Sequence, residues 1–238
     1  MEDNRKPGRL KNIGAYMPRA VKFYGLKNEI LTPVVFIISL GAFFLSAFIP
    51  VPYDKLDLKS IAVNFLLTML VNLASTIYLS AYIRELKGEE YSMPGCVNLV
   101  LRNILNIIMA SVVYSIAIVA GVIAFIIPGI IFSIMFIFNT CYILDQGKGP
   151  FEALGASRRL TGGCKWEIFS IMLVYGLLLA LPLVTIMVAS NSSDNTLVQA
   201  FVPAFIFSIV NIMQVRLIAL LYVDLEYTQH VVKKEDIM

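Results

Sequence analysis

The chain has 238 residues, of which 58% are hydrophobic and 15% are charged, and its mean hydropathy is +0.80. Soluble domains carry a charge on about a quarter of their residues, so this composition excludes an ordinary soluble protein. The formal net charge is only +3, which disfavours nucleic acid as a partner and favours anionic lipid headgroups. The sequence therefore predicts an integral membrane protein.

Long apolar segments occupy most of the chain between two polar ends. A helix that crosses a bilayer needs about 20 apolar residues, and six segments approach or exceed that length. We predict a basic cytoplasmic or interfacial segment at residues 1–32, a membrane domain at residues 33–225 and a cytoplasmic tail at residues 226–238. The predicted spans are residues 33–50, 60–83, 104–127, 130–144, 166–189 and 197–223.

The Pro128-Gly129 pair interrupts the longest apolar stretch. A single helix over residues 104–144 would be about 60 Å long, whereas the hydrocarbon core of a bilayer is about 30 Å thick. The sequence therefore predicts a turn at Pro128-Gly129 and a helical hairpin around it.

Basic residues divide unequally between the two sides that these spans define. Of the 19 Lys and Arg residues, 16 lie in the segments on one side, and only Lys55 and Lys59 lie on the other. Cytoplasmic loops of membrane proteins carry the excess of Lys and Arg. We therefore expect an all-α, six-helix bundle in the cytoplasmic membrane of the cell, with both termini in the cytoplasm.

The second, fourth and sixth spans end alike, because Tyr82, Tyr142 and Tyr222 are each followed within three residues by a charged residue. Three pseudo-repeated helical hairpins are one interpretation of this likeness. The other is the ordinary enrichment of tyrosine where a span meets the headgroups.

We single out six amide side chains inside the predicted spans: Asn64, Asn72, Asn106, Asn139, Asn211 and Gln214. Amides within a membrane need hydrogen-bond partners, and neighbouring helices can supply them. The same amides could instead line a substrate path between spans 2, 4 and 6. No acidic residue lies deep in a span, which disfavours a proton-coupled transporter.

A second set of polar residues is a candidate site for a lipid headgroup or a partner protein: Asp145, Arg158, Arg159, Lys165 and Arg216. The first four follow the fourth span, and arginine is well suited to phosphate binding. Arg216 lies about 29 Å along the last span, near its cytoplasmic end. It could extend its charge to the surface, or it could contact an anion.

Catalytic and metal-binding motifs are not found in the sequence, which lacks GxSxG, HExxH and P-loop patterns. Its three cysteines show no ligand spacing, and His230 is its single histidine. Asp54 and Asp57 are too few carboxylates for a good metal site. We therefore predict no metal and no cofactor, and nothing nominates an enzyme.

The central stretch contains an ordered series of small motifs: Ile127-Pro-Gly-Ile130, Tyr142-Ile-Leu-Asp145, Glu152-Ala-Leu-Gly-Ala-Ser157 and Gly163-Cys-Lys-Trp166. In these motifs the chain resembles a family of prokaryotic polytopic membrane proteins. That family includes the membrane domain of glycerophosphodiester phosphodiesterases and stand-alone integral membrane proteins of unknown function. The resemblance implies a protein of the cytoplasmic membrane. Because the six spans occupy nearly the whole sequence, we do not expect phosphodiesterase activity.

Three functions fit this sequence. The first is a non-enzymatic module that binds lipid or a partner protein at the inner membrane surface, with a second membrane protein or a second copy of the chain as the candidate partner. The second is a small transporter or permease-like subunit, and the third is a membrane enzyme that acts on a lipid. Convergent charges over a closed bundle would favour the first, and a polar cavity between the spans would favour the second.

Overall fold

A computed structural model of the chain describes residues 10, 13–21, 30–49, 57–191 and 195–235, without the side chains of residues 181, 182, 191 and 228–235. These residues form helices and no strands. The helices are α1 (Ile13–Val21), α2 (Leu31–Ala47), α3 (Leu58–Lys87), α4 (Met93–Arg102), α5 (Ile104–Ala124), α6 (Ile126–Met135), α7 (Asn139–Gln146), α8 (Pro150–Leu160), α9 (Lys165–Asn191) and α10 (Thr196–Glu235). The predicted all-α class is confirmed.

Five helical stretches are long and apolar enough to cross a membrane: Leu58–Lys87, Ile104–Ala124, Ile126–Gln146, Lys165–Ser190 and Thr196–Tyr227. The first predicted span corresponds to α2, an apolar helix of 17 residues. Its length of about 26 Å is slightly less than the hydrocarbon thickness of about 30 Å. Helices therefore occupy all six apolar segments. Most of the predicted loop at residues 51–59 and part of the one at residues 190–196 lie outside the described residues.

Helix α10 contacts α1, α2, α3 and α9 and holds the bundle together. It runs in the same direction as α3. Asn211 of α10 donates a hydrogen bond to Ser75 of α3, and Arg216 lies over the ring of Tyr82, one to two turns further along both helices. The two helices therefore end on the same side.

Helix α2 lies antiparallel to α3. Near the start of α2, Thr32 is 3.3 Å from the hydroxyl of Tyr78, whereas near its end Ser46 donates to Asn64 at 2.6 Å. The first two apolar helices therefore form a hairpin, and α10 packs against both.

The turn of the central hairpin lies at Phe125, three residues before the predicted turn. Phe125 has an extended backbone (φ −169°, ψ 153°) between α5 and α6. Pro128 lies in the first turn of α6, where the missing N–H of proline leaves no helical hydrogen bond unmade. The prediction of a hairpin is right, and the prediction that the Pro128-Gly129 pair forms its turn is wrong.

Glycines allow the backbones of α5 and α6 to touch. A Cβ atom placed on Gly121 would lie 2.8 Å from Cα of Gly129, and one placed on Gly129 would lie 3.0 Å from the backbone nitrogen of Val122. Small residues give membrane helices their closest packing, since lipid supplies little hydrophobic drive for helix association. Gly129 is therefore a packing residue.

The fourth apolar segment is divided between α6 and α7, and α8 covers the break. The Phe138 N–H donates to Ser157 Oγ at 3.1 Å, and the Ser157 hydroxyl donates to the carbonyl of Met135 at 2.9 Å. Ala153 and Ala156, on the same face of α8 as Ser157, are buried. The small residues of the Glu152–Ser157 motif thus let α8 pack antiparallel to α7 and satisfy backbone groups that the break leaves open.

We expect Gly121→Ala to destabilise the protein by about 1–3 kcal/mol, because the added methyl group forces α5 and α6 apart. The matched control is Gly176→Ala in α9, where a Cβ atom would meet nothing within 4 Å. Alanine favours a helix more than glycine does, so the control should be neutral or slightly stabilising. Thermal unfolding in detergent measures both. Equal melting temperatures for the two variants would contradict the backbone contact.

Candidate functional site

One end of the bundle, which we call the polar end, holds a cluster centred on Asp145. The Asp145 side chain is only 2% exposed. One of its carboxylate oxygens accepts a hydrogen bond from Lys87 Nζ at 2.7 Å. The other accepts from the hydroxyl of Tyr222 at 2.8 Å and from the hydroxyl of Tyr227. A single carboxylate therefore joins α3, α7 and α10.

A second carboxylate reinforces the contact between α7 and α10. Glu226 accepts hydrogen bonds from the Tyr142 hydroxyl at 2.6 Å and from Gln146 Nε2 at 2.9 Å. Lys148 Nζ lies 4.4 Å from the centre of the Tyr142 ring, a cation–π distance. The side chains of this cluster thus form hydrogen bonds between α3, α7 and α10 and hold these three helices together at the polar end.

The first helix also packs at the polar end. Tyr16 of α1 is buried, and its hydroxyl donates to the carboxylate of Asp224 on α10. The described part of the N-terminal segment is thereby attached to the same end of the bundle as the last turns of α10.

The three tyrosines of the similar span ends are buried at the polar end. Tyr142 and Tyr222 meet edge to face, with their ring centres 5.2 Å apart, and Tyr82 stacks on Tyr78. Their rings pack against protein, which differs from the exposed setting of ordinary interface tyrosines. Whether the three hairpins form a true repeat stays a prediction.

Arg216 lies inside the bundle rather than extending to its surface. The residue is 4% exposed, and its guanidinium carbon lies 4.8 Å from the centre of the Tyr82 ring. Nε and Nη1 have no hydrogen-bond partner in the described part of the chain. The cation–π contact offsets part of the cost of burying this charge. Of the two interpretations of Arg216, the burial of its guanidinium disagrees with the one in which the side chain extends its charge to the surface.

Two of the predicted intramembrane amides join neighbouring helices. Asn64 of α3 donates to the carbonyl of Ile49 at 2.9 Å and accepts from Ser46 of α2. Asn211 of α10 donates to Ser75 of α3 at 2.8 Å. Both amides form hydrogen bonds between helices, which is the packing role that amides commonly have in membranes.

The other four amides occupy different settings. Asn139 is buried at the start of α7 and accepts from the hydroxyl of Thr140 at 2.8 Å. Asn106 is half-buried, whereas Asn72 and Gln214 are exposed on the flanks of α3 and α10. The predicted amides are thus divided between helix–helix contacts and exposed flanks.

The predicted charged set is divided too. Asp145 belongs to the buried cluster, whereas Arg158 and Arg159 lie on the exposed face of α8, and Lys165 is half-buried at the start of α9. Within the described residues, no acidic side chain pairs with either arginine. Phe151, two turns before Arg158 on α8, is 65% exposed, and Trp166, next to Lys165 in the sequence, is 75% exposed. We call the exposed surface formed by Phe151, Arg158, Arg159, Lys165 and Trp166 the α8 face.

The three cysteines are not placed for reaction with solvent. All three are free and buried. Burial raises the pKa of the Cys164 thiol to about 11, so this thiol stays protonated at neutral pH. Among the described residues, no group of three or more His, Cys, Asp or Glu side chains is placed to hold a metal ion.

Asp57 has a structural role at the start of α3. Its carboxylate caps the helix by accepting hydrogen bonds from the backbone N–H of Lys59 and the hydroxyl of Ser60. The Ser60 hydrogen bond lowers the pKa of the Asp57 carboxyl. Asp54 lies outside the described residues.

Sequence reasoning missed three members of the Asp145 cluster, namely Lys87, Glu226 and Tyr227. Each is an ordinary polar residue at a helix end, and its partner on α7 lies at least 58 positions away in the sequence. The only available signal was the concentration of tyrosine and charge at the ends of the second, fourth and sixth spans.

Comparisons with known proteins do not assign the chain to a family. No family model, no curated protein and no solved structure matches it. The resemblance to the prokaryotic membrane family therefore stays a resemblance.

We expect Asp145→Asn to lower the free energy of unfolding by about 1–3 kcal/mol, because Lys87 loses a buried counter-charge. The loss should be smaller than for a fully enclosed pair, since Lys87 also contacts Glu89. Glu152→Gln, an exposed carboxylate on α8, is the control and should change the stability by less than about 0.5 kcal/mol. Unfolding in detergent measures both, and an unchanged Asp145→Asn variant would show that the cluster is not a stabilising contact.

Proposed function

We propose that the protein is a non-enzymatic membrane module that spans the cell membrane six times and binds anionic lipid headgroups at the inner surface through the α8 face. The observation that carries the proposal is a pair of exposed arginines, without acidic partners in the described part of the chain, on a helix that also exposes Phe151 and packs against α7.

The six-span arrangement rests on the helices and on the charge distribution. Five apolar helical stretches have spanning length, and α2 is slightly shorter. The unequal distribution of Lys and Arg favours a cytoplasmic location for both termini. In that orientation the polar end and the α8 face lie at the inner surface. Contact between α1 and the end of α10 agrees with termini on one side.

Lipid binding rests on the chemistry of the α8 face. Guanidinium groups form charge-assisted, bidentate hydrogen bonds with phosphate oxygens. Exposed Phe151 and Trp166 suit the boundary between headgroups and acyl chains. Because Ser157 and the buried alanines hold the opposite face of α8 against α7, Arg158 and Arg159 are presented on a fixed support.

The two other functions have less support from the geometry. A permease-like subunit would use the intramembrane amides, but Asn64 and Asn211 are engaged between helices. An enzyme acting on a lipid would need accessible titratable groups, whereas Asp145 is enclosed by its partners. A lipid-binding module fits both observations.

Native mass spectrometry of protein extracted gently from its own membrane tests this proposal. We expect anionic lipid to remain bound to the wild type, and we expect Arg158→Ala/Arg159→Ala to retain fewer of these lipid molecules. Lys233→Ala/Lys234→Ala removes the same charge from the C-terminal segment and should keep as many lipid molecules as the wild type. An α8 variant that retains as many anionic lipid molecules as the wild type, or a wild type without bound lipid, would overturn the proposal. Loss of a bound polypeptide instead would replace lipid with a protein partner.

A further inference from the structure

A second basic site lies away from the α8 face, between α3 and α4 and beside the corner that leads into α5. It is a cavity of about 420 Å³, and its lining contains no acidic residue. The lining residues are Arg84, Gly95, Asn98, Leu99, Arg102 and Asn103. A volume of this size falls within the range of about 300–1,000 Å³ that small-molecule sites occupy.

The fold of α4 places these groups around the cavity. Ser92 caps α4 by accepting a hydrogen bond from the Gly95 N–H at 3.2 Å. Cys96 and Val100 are buried on one face of the helix. Asn98 therefore faces away from the bundle, exposed in the cavity wall.

The corner between α4 and α5 completes the wall. Asn103 Nδ2 donates to the carbonyl of Leu99 at 2.9 Å and fixes the corner. Arg102, immediately before the corner, is exposed, while Arg84 enters from the last turns of α3. Two guanidinium groups thus reach one cavity from two helices.

The charges of Arg84 and Arg102 are not neutralised. Neither guanidinium has an ion pair or a hydrogen bond within the described residues. By contrast, Lys87 forms an ion pair with Asp145 at 2.7 Å, although it lies less than one turn beyond Arg84 on the same helix. Two unpaired cations that share a cavity without acidic groups favour an anion, and phosphate matches the fork geometry of arginine.

An apolar stripe begins three residues after Arg102 and runs along α5. Its members are exposed and recur at spacings of three and four residues: Leu105, Ile108, Val112, Ile116, Val119 and Ile123. The stripe is about 27 Å long, close to the hydrocarbon thickness of about 30 Å. The stripe begins two residues after Asn103 of the cavity lining, so a phosphate held in the cavity would lie near one end of an apolar surface.

We propose that this cavity binds the phosphate of an anionic phospholipid, whose acyl chains lie along the α5 stripe. Arg84 and Arg102 hold the phosphate oxygens, and the amide of Asn98 contacts the rest of the headgroup. This site uses different helices from the α8 face, so it extends the proposed function and does not depend on it. A free phosphate ion would bind the two arginines by the same chemistry, but it has no acyl chain to contact the stripe.

The test uses full-length, delipidated protein in detergent, titrated with phosphatidylglycerol or phosphatidylcholine and followed by native mass spectrometry. Among the bound phosphatidylglycerol molecules, we expect one whose affinity falls about tenfold or more in Arg84→Gln/Arg102→Gln. Lys233→Gln/Lys234→Gln, which removes the same charge from the C-terminal segment, is the matched control and should leave phosphatidylglycerol binding unchanged. Phosphatidylcholine should bind more weakly, because it lacks the net negative charge.

Photo-crosslinking locates the lipid in the wild type and so does not depend on the folding of a variant. A phosphatidylglycerol with a photoreactive headgroup should label the segment 98–105. Labelling confined to α8 and α9, or unchanged affinity in a folded Arg84→Gln/Arg102→Gln variant, would overturn the inference while leaving the α8 proposal standing. Displacement of the lipid by an excess of inorganic phosphate would also overturn it, since the site would then recognise a free anion.

Discussion

The buried carboxylate of Asp145 is the contact on which the polar end of the bundle depends. A charge held away from water is costly unless its hydrogen-bonding capacity is filled, and here one lysine and two tyrosine hydroxyls fill it. Those three donors come from α3 and α10, while Asp145 itself belongs to α7. The requirement to satisfy one carboxylate therefore fixes the relative positions of three helices from different parts of the chain.

Both proposals place lipid recognition on the outside of the bundle. Asp145 and Glu226 are engaged by their partners. Two pairs of arginines without ion pairs in the described part of the chain lie on the periphery, at the α8 face and at the cavity that Arg84 and Arg102 line, whereas Arg216 is buried. Both sites adjoin exposed apolar or aromatic side chains. The molecule thus combines an internally paired end with basic surfaces that, in both proposals, contact the phosphate region of a membrane.

The positions of the helices follow from the lengths of the apolar runs, which is why they could be predicted from the sequence. The turn at Phe125 could not be predicted from the Pro128-Gly129 pair, because proline suits the first turn of a helix as well as a loop, and glycine also serves close packing. Nearness in the sequence groups Asp145 with Arg158. Its real partner, Lys87, is 58 positions away, and no local pattern encodes a pairing of that range.

Closure of the bundle is tested most directly by the accessibility of Asn211, which bonds Ser75 between α3 and α10. The Asn211→Cys variant is treated, in membranes, with a charged thiol reagent applied from each side, and Glu152→Cys on the exposed face of α8 is the control. The native cysteines are buried. We predict that Asn211→Cys stays unlabelled from both sides while the control reacts. Labelling of Asn211→Cys at the rate of the control would reveal a water-filled path between the helices and contradict a closed bundle.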